Sequence, residues 1–245
     1  MSPTRCHPVP VAAPRLPVVL SILVGGIALT SGGAATATAE TCPNVEVVYA
    51  RGTDTTPPVD FVGQAFVNAL SAQIPGRTIS VYGVDYPATL NLGPSTAKGA
   101  AQAWVHIVNR AAECPATQLV LSGYSQGAAV IDLLTADKPL PWGTNTPMPA
   151  AVAGQVAAIA VFGNPSRRVG GGPITAISKT YGPRSIDLCI TGDPFCSNGS
   201  DVTAHAKYGG VIDQAAKFVA ARLRWIVRPT LAGPAVADRP RCRKC

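Results

Sequence analysis

The five residues Gly123-Tyr124-Ser125-Gln126-Gly127 place a serine with a glycine two positions away on each side. Before them, Gln118 to Leu121 read as a buried strand; after them, Ala128 to Leu134 read as an apolar helix. A serine between a strand and a helix is the sequence form of a nucleophile elbow, a strained turn with its hydroxyl exposed. The spacing alone is common, so the strand–turn–helix context carries the reading. The glycines have a steric role, because side chains at Gly123 and Gly127 would strike the neighbouring strand or helix. The chemistry on offer is attack by Ser125 Oγ on a carbonyl carbon.

A serine hydroxyl is a poor nucleophile near neutral pH and needs a base within hydrogen-bond reach. Where such an elbow crowns a parallel sheet, the chain order is serine, then an acid, then histidine. Of three histidines, His7 lies in the amino-terminal segment and His106 precedes Ser125 on a predicted helix, leaving His205 as the base. Five acids separate Ser125 from His205: Asp132, Asp137, Asp187, Asp193 and Asp201. Asp132 falls about two turns down the helix that follows Ser125. Asp187 sits inside a short strand, fixed but not easily aimed. Asp193 lies just past a strand's carboxyl end, where catalytic residues of parallel sheets gather. It is preferred over the runner-up, Asp201, which sits only four residues before His205. A bridge between Cys189 and Cys196 would clamp the loop that carries Asp193.

The elements that must position these groups can be read in chain order. Val45 to Ala50 is a β-rich run, and Asp60 opens a helical pattern reaching about Gln73 before Pro75-Gly76 stops it. Thr78 to Val84 is a second strand. Ser95 or Thr96 is expected to cap a helix running to about Glu113. The proline-rich stretch from Asp137 to Ala150 reads as a surface loop. Val156 to Phe162 and Ser185 to Cys189 read as strands, and Val211 to Ile226 as the last helix. Strands that are apolar throughout and alternate with helices indicate a parallel sheet covered on both faces.

The 245 residues suffice for one full core. The net charge of +7 comes from the ends. Of 20 basic and 13 acidic residues, two basic ones lie in 1–39, and seven basic with one acidic lie in 222–245. The near-neutral body argues against nucleic acid as a partner. Arg5 and Arg15, the apolar run Leu16 to Leu29 and then Ala37-Thr38-Ala39 form a secretory signal pattern over 1–39, with cleavage expected after Ala39. Residues 40–227 form the folded domain, and 228–245 a basic, proline-containing flexible tail. That tail reads either as simply solvated or as an anchor to an anionic cell envelope. An exported chain lives where disulfides persist. Cys42, Cys114, Cys189 and Cys196 allow three pairings, which the sequence leaves open. Cys242 and Cys245 in the tail are too few ligands for a zinc site and read as a local or intermolecular disulfide.

Taken together, Gly123-Tyr124-Ser125-Gln126-Gly127, the Cys189-to-Cys196 loop around Asp193, and His205 shortly before Tyr208-Gly209 resemble the cutinase family. The resemblance extends to Tyr49-Ala50-Arg51-Gly52-Thr53, which is similar to that family's oxyanion segment. It implies an α/β-hydrolase-type three-layer sandwich with five central parallel strands and no large lid. It also implies disulfides Cys42–Cys114 and Cys189–Cys196, a Ser125, Asp193 and His205 triad, and an oxyanion hole from Thr53 and Gln126. Fungal members carry serine where this chain has Thr53, which offers the same O–H. The implied activity is that of a secreted, monomeric serine esterase acting on acyl esters, lipids or polyesters, with no metal or cofactor. Two readings compete with it: a catalytically silent secreted binding protein, and a lipase or phospholipase within the enzyme class. Leu90, Leu92, Pro194 and Phe195 either line an acyl groove or pack within their loops.

Overall fold

The computed structural model describes residues 42–224; the expected signal and the tail with Cys242 and Cys245 lie outside the described residues. The elements run β1 (Val45–Ala50), α1 (Phe61–Gln73), β2 (Ile79–Gly83), α2 (Leu92–Glu113), β3 (Gln118–Tyr124) and α3 (Gln126–Thr135). The one-turn helix α4 (Ala150–Ala153) and β4 (Val156–Phe162) come next. They are followed by the one-turn helices α5 (Ser166–Val169) and α6 (Ile174–Ile177), then β5 (Ser185–Leu188) and α7 (Ile212–Ala220). The five strands form one parallel sheet in the order β2-β1-β3-β4-β5.

Every residue of β1 and β3 is buried, because each strand faces a helical layer on both sides. Val48, Leu119, Leu121 and Val161 pack with Ile107 of α2 and Ile131 of α3. The alternate residues Val47, Tyr49, Val120 and Phe162 pack with Phe66 and Leu70 of α1 and Val219 of α7. The order carries the site: β3 is central, so the turn leaving its carboxyl end stands between the loops that follow β1 and β4.

Two helix boundaries differ from the sequence reading. α2 begins at Leu92, with Asn91 at its N-cap, so Ser95 and Thr96 lie inside the helix. Pro94 is tolerated there because the first helical N–H groups have no partner to lose. Ser95 Oγ instead donates to Gln126 Oε1 at 2.9 Å. The last helix ends at Ala220 and passes into a turn, short of the expected Ile226, which is outside the described residues.

Two disulfides join described residues, Cys42 to Cys114 and Cys189 to Cys196. The first closes 72 residues and the second seven, worth about 4 and about 2.5 kcal/mol in the chain-entropy model. His106 is half-buried, stacked on Tyr82 and bonded to the buried Glu46 carboxylate, which Arg110 also reaches at 2.5 Å. It therefore supports β1 rather than the chemistry.

Asp132 has no exposure at all and no well-formed hydrogen bond to either oxygen. Burial pushes its carboxyl up to about 8; nearby Ser166 and Asn164 ease this only in part, while Asp187 adds to it. The unfolded carboxyl ionises near pH ~4, so between there and pH ~8 the folded state holds an extra proton. Its contribution is intact below that window and is lost as pH rises, at up to ~1.4 kcal/mol per pH unit. Asp132→Asn is expected to reduce the loss of stability between about pH 5 and about pH 8 by a few kcal/mol. Urea midpoints at the two pH values measure this; equal losses in both proteins would refute it.

Candidate active site

Ser125 has φ 55° and ψ −120°, a left-handed conformation forced by the junction of β3 and α3. Its amide donates to Phe162 O at 2.9 Å, and its carbonyl accepts from Ala128 N at 2.9 Å. A Cβ at Gly127 would lie 1.9 Å from the Ala50 carbonyl oxygen, and one at Gly123 would lie 2.3 Å from the Gly127 oxygen. Both obstacles are backbone, so neither can yield, and the turn requires glycine at both positions.

The structure brings together the three residues selected by chain order. Ser125 Oγ is 2.8 Å from His205 Nε2, and His205 Nδ1 is 2.7 Å from Asp193 Oδ2. Asp193 is fully buried and accepts two further hydrogen bonds: the Phe195 amide reaches Oδ1 at 2.8 Å, and Tyr208 Oη reaches Oδ2 at 2.6 Å. Burial, followed by the bond and charge of Asp193, pushes the Tyr208 phenol far up, so it remains a donor at neutral pH. The Cys189–Cys196 bridge closes the loop on which Asp193 sits. Tyr124 Oη donates to the His205 carbonyl at 2.5 Å, holding the imidazole from behind.

The rival acids are placed elsewhere. Asp201 is exposed and caps a short 3-10 turn, accepting from the Thr203 amide at 2.9 Å. Asp187 accepts from Asn164 Nδ2 at 2.9 Å and the Ile174 amide at 3.0 Å. It holds α6 against β5, and burial raises its pKa despite those donors and Arg167.

Thr53 and Gln126 both line the cavity that holds Ser125 and His205. Gln126 is the first residue of α3, so its amide has no intrahelical acceptor. Among the described residues, no hydrogen-bond partner engages the Thr53 amide or hydroxyl. The Gln126 side chain is otherwise engaged, donating to Thr89 O at 2.8 Å and accepting from Ser95. Asp60, read from sequence only as a helix start, bonds Gly52 N at 2.8 Å, Tyr49 Oη at 2.6 Å and Gly63 N at 3.0 Å. It thereby ties the Thr53 loop to β1 and to the first turn of α1. Arg51 pins the same loop to Tyr86 O at 3.0 Å.

The cavity holds about 320 Å³ and is mostly apolar. Leu90, Leu92 and Phe195 lie on it as the groove reading expects; Pro194 does not, and its carbonyl accepts from Arg168 at 2.6 Å. Sequence reasoning missed Phe61, Trp142 and Pro165 on its walls. Trp142 comes from the proline-rich loop, which has no periodicity to betray a buried face. A larger hollow of about 770 Å³ between that loop and Tyr181 contains none of these reactive groups. Among the described residues, no group of three His, Cys, Asp or Glu side chains could hold a metal ion.

A family model described as Cutinase matches residues 41–223. Phospholipase Culp4 of Mycobacterium tuberculosis is 50% identical over 184 residues, covering 74% of this chain and 80% of that protein. Carboxylesterase Culp1 of Mycobacterium bovis is 41% identical over 213 residues, covering 84% and 93%. The solved structure of Trichoderma reesei cutinase in complex with a C11Y4 phosphonate inhibitor superposes with TM-score 0.62 at 29% identity, covering 76% of this chain and 80% of that one.

Proposed function

The chain belongs to the cutinase family and is a carboxylic ester hydrolase; on that footing we propose that Ser125, His205 and Asp193 carry out a two-step acyl transfer. The unbroken hydrogen-bond chain from Ser125 Oγ through His205 to the buried Asp193 supports this reading. Ser125 Oγ attacks the ester carbonyl as its proton passes to His205 Nε2. Asp193 holds the proton on Nδ1 and stabilises the imidazolium that forms. His205 then protonates the departing alkoxide, and water releases the acid by the same steps in reverse roles. The Thr53 and Gln126 amides, with the Thr53 hydroxyl, stabilise the oxyanion, each donor being worth about 3–4 kcal/mol of the barrier.

Culp4, 50% identical over 184 residues, is named a phospholipase, which favours lipid esters among the substrates. Export suits the reading, since both disulfides among the described residues need an oxidising compartment to persist. Envelope association through the basic tail is a further part of the proposal; deleting residues 228–245 should release the protein from the envelope fraction. The catalytically silent alternative is opposed by the assembled hydrogen-bond chain. A fluorophosphonate probe should label the folded protein stoichiometrically at Ser125, located by peptide mass mapping. Folded protein that stays unlabelled would overturn the assignment.

A further inference from the structure

The polar side chains on the walls of the cavity beside Ser125 are nearly all already engaged. His205 and Ser125 bind one another, Thr55 Oγ1 donates to Gly52 O at 2.8 Å, and Trp142 Nε1 donates to Ser166 Oγ at 2.9 Å. Apart from Thr53, at the oxyanion position, the exception is Thr96. It lies on the cavity wall with 0% exposure, and its Oγ1 has no hydrogen-bond partner among the described residues. A helical threonine commonly returns its hydroxyl to the carbonyl one turn back, as Thr135 does to Ile131 O at 2.8 Å. Thr96 does not, although it sits within α2. An unpaired buried hydroxyl is costly, and the cavity is where a partner can reach it.

Its depth follows from how α2 meets α3. Ser95 touches Gln126, and a Cβ at Gly99 would lie 2.8 Å from Val130 Cγ2, so the two helices run alongside each other here. Thr96 therefore lies beside Ala129, which shares the cavity wall and sits about one turn, roughly 5 Å, along α3 from Gln126. An acyl chain whose carbonyl oxygen points at the Gln126 amide covers that distance with about its first four carbons.

We propose that Thr96 is a specificity-determining residue that selects acyl groups carrying a hydroxyl or keto oxygen within the first few carbons of the ester carbonyl. The substituent exchanges a hydrogen bond with Thr96 Oγ1 and leaves unchanged, while the ester is cleaved to a hydroxy or keto acid and an alcohol. The inference rests on Ser125 acting as the nucleophile of this cavity.

The test compares ethyl butyrate with ethyl 3-hydroxybutyrate, and ethyl hexanoate with ethyl 3-hydroxyhexanoate, by titrating the released acid. The proteins are wild type, Thr96→Val, Thr96→Ser and the blank Ser125→Ala. At fixed chain length, the ratio of kcat/KM for the hydroxylated over the plain ester should fall at least about tenfold in Thr96→Val. Thr96→Ser, which keeps the hydroxyl, should restore it. An equal ratio in wild type and Thr96→Val overturns the proposal while leaving Ser125-dependent hydrolysis standing. Wild type that cleaves neither member of a pair would instead remove the reading of the site on which the proposal depends.

Discussion

Ser125→Ala is expected to lower kcat for p-nitrophenyl butyrate by about 10⁵- to 10⁶-fold, with the residue left over coming from binding and the oxyanion donors. Chemically, no other hydroxyl on the cavity is bonded to the His205 base, so alanine leaves nothing to be activated. Structurally, the turn is held by backbone contacts from Phe162 O to Ser125 N and from Ala128 N to Ser125 O, which alanine keeps. Alanine also meets the left-handed backbone at φ 55° on the same terms as serine. The melting temperature should therefore stay within about 2 °C of wild type, a change of at most about 1 kcal/mol. Turnover near the wild-type rate would rule out Ser125 as nucleophile.

Asp193→Asn is expected to cost about 10⁴-fold in kcat, and here the hydrogen bonds on the carboxylate decide the size. Oδ1 accepts from the Phe195 amide, and Oδ2 accepts from both His205 and Tyr208. A carboxylate satisfies every one of these donors. An asparagine amide must turn its NH2 either toward Phe195 N–H or toward His205 and Tyr208. In the first case two donors face one another in a fully buried site, a loss of about 1–3 kcal/mol in stability. In the second, the NH2 draws an acceptor from His205 Nδ1 and puts the ring proton on Nε2, where it can no longer take the Ser125 proton. Steady-state kinetics and the rate of fluorophosphonate labelling should fall together, with a melting curve showing that the fold persists. A variant within tenfold of wild type would sink the role given to Asp193. Asp201→Asn serves as the contrast, because that exposed cap touches neither His205 nor Ser125.

Much of this was legible before any coordinates. The elbow was readable because its requirement is local: two glycines, a strand before and a helix after, all within a short window. The inner strands β3 and β4 showed as mostly apolar runs because both faces of the sheet are covered there, while the edge strands β2 and β5 are only partly buried. His205 was selected by chain order, and Asp193 by its place after a strand. The start of α2 was misplaced because Ser95 and Thr96 look like caps, whereas neither hydroxyl caps the helix: Thr96 Oγ1 has no partner among the described residues, and Ser95 Oγ turns to a neighbour that periodicity does not reveal. Ser95 serves Gln126, thirty-one positions along the chain.

The sequence by itself determined which residues could react, the order in which they come, and that a sheet buried on both faces would present them. Only the tertiary structure decided that Tyr208 shares Asp193 with His205, that Asp60 fixes the Thr53 loop, and that Trp142 and Thr96 stand on the cavity wall. It also decided that Asp132 lies fully buried on the helix that Ser125 opens. The reason is physical. A strained turn or an apolar strand is specified by neighbours in the chain, while hydrogen-bond partners and burial depend on residues that meet only when separate strands and helices pack.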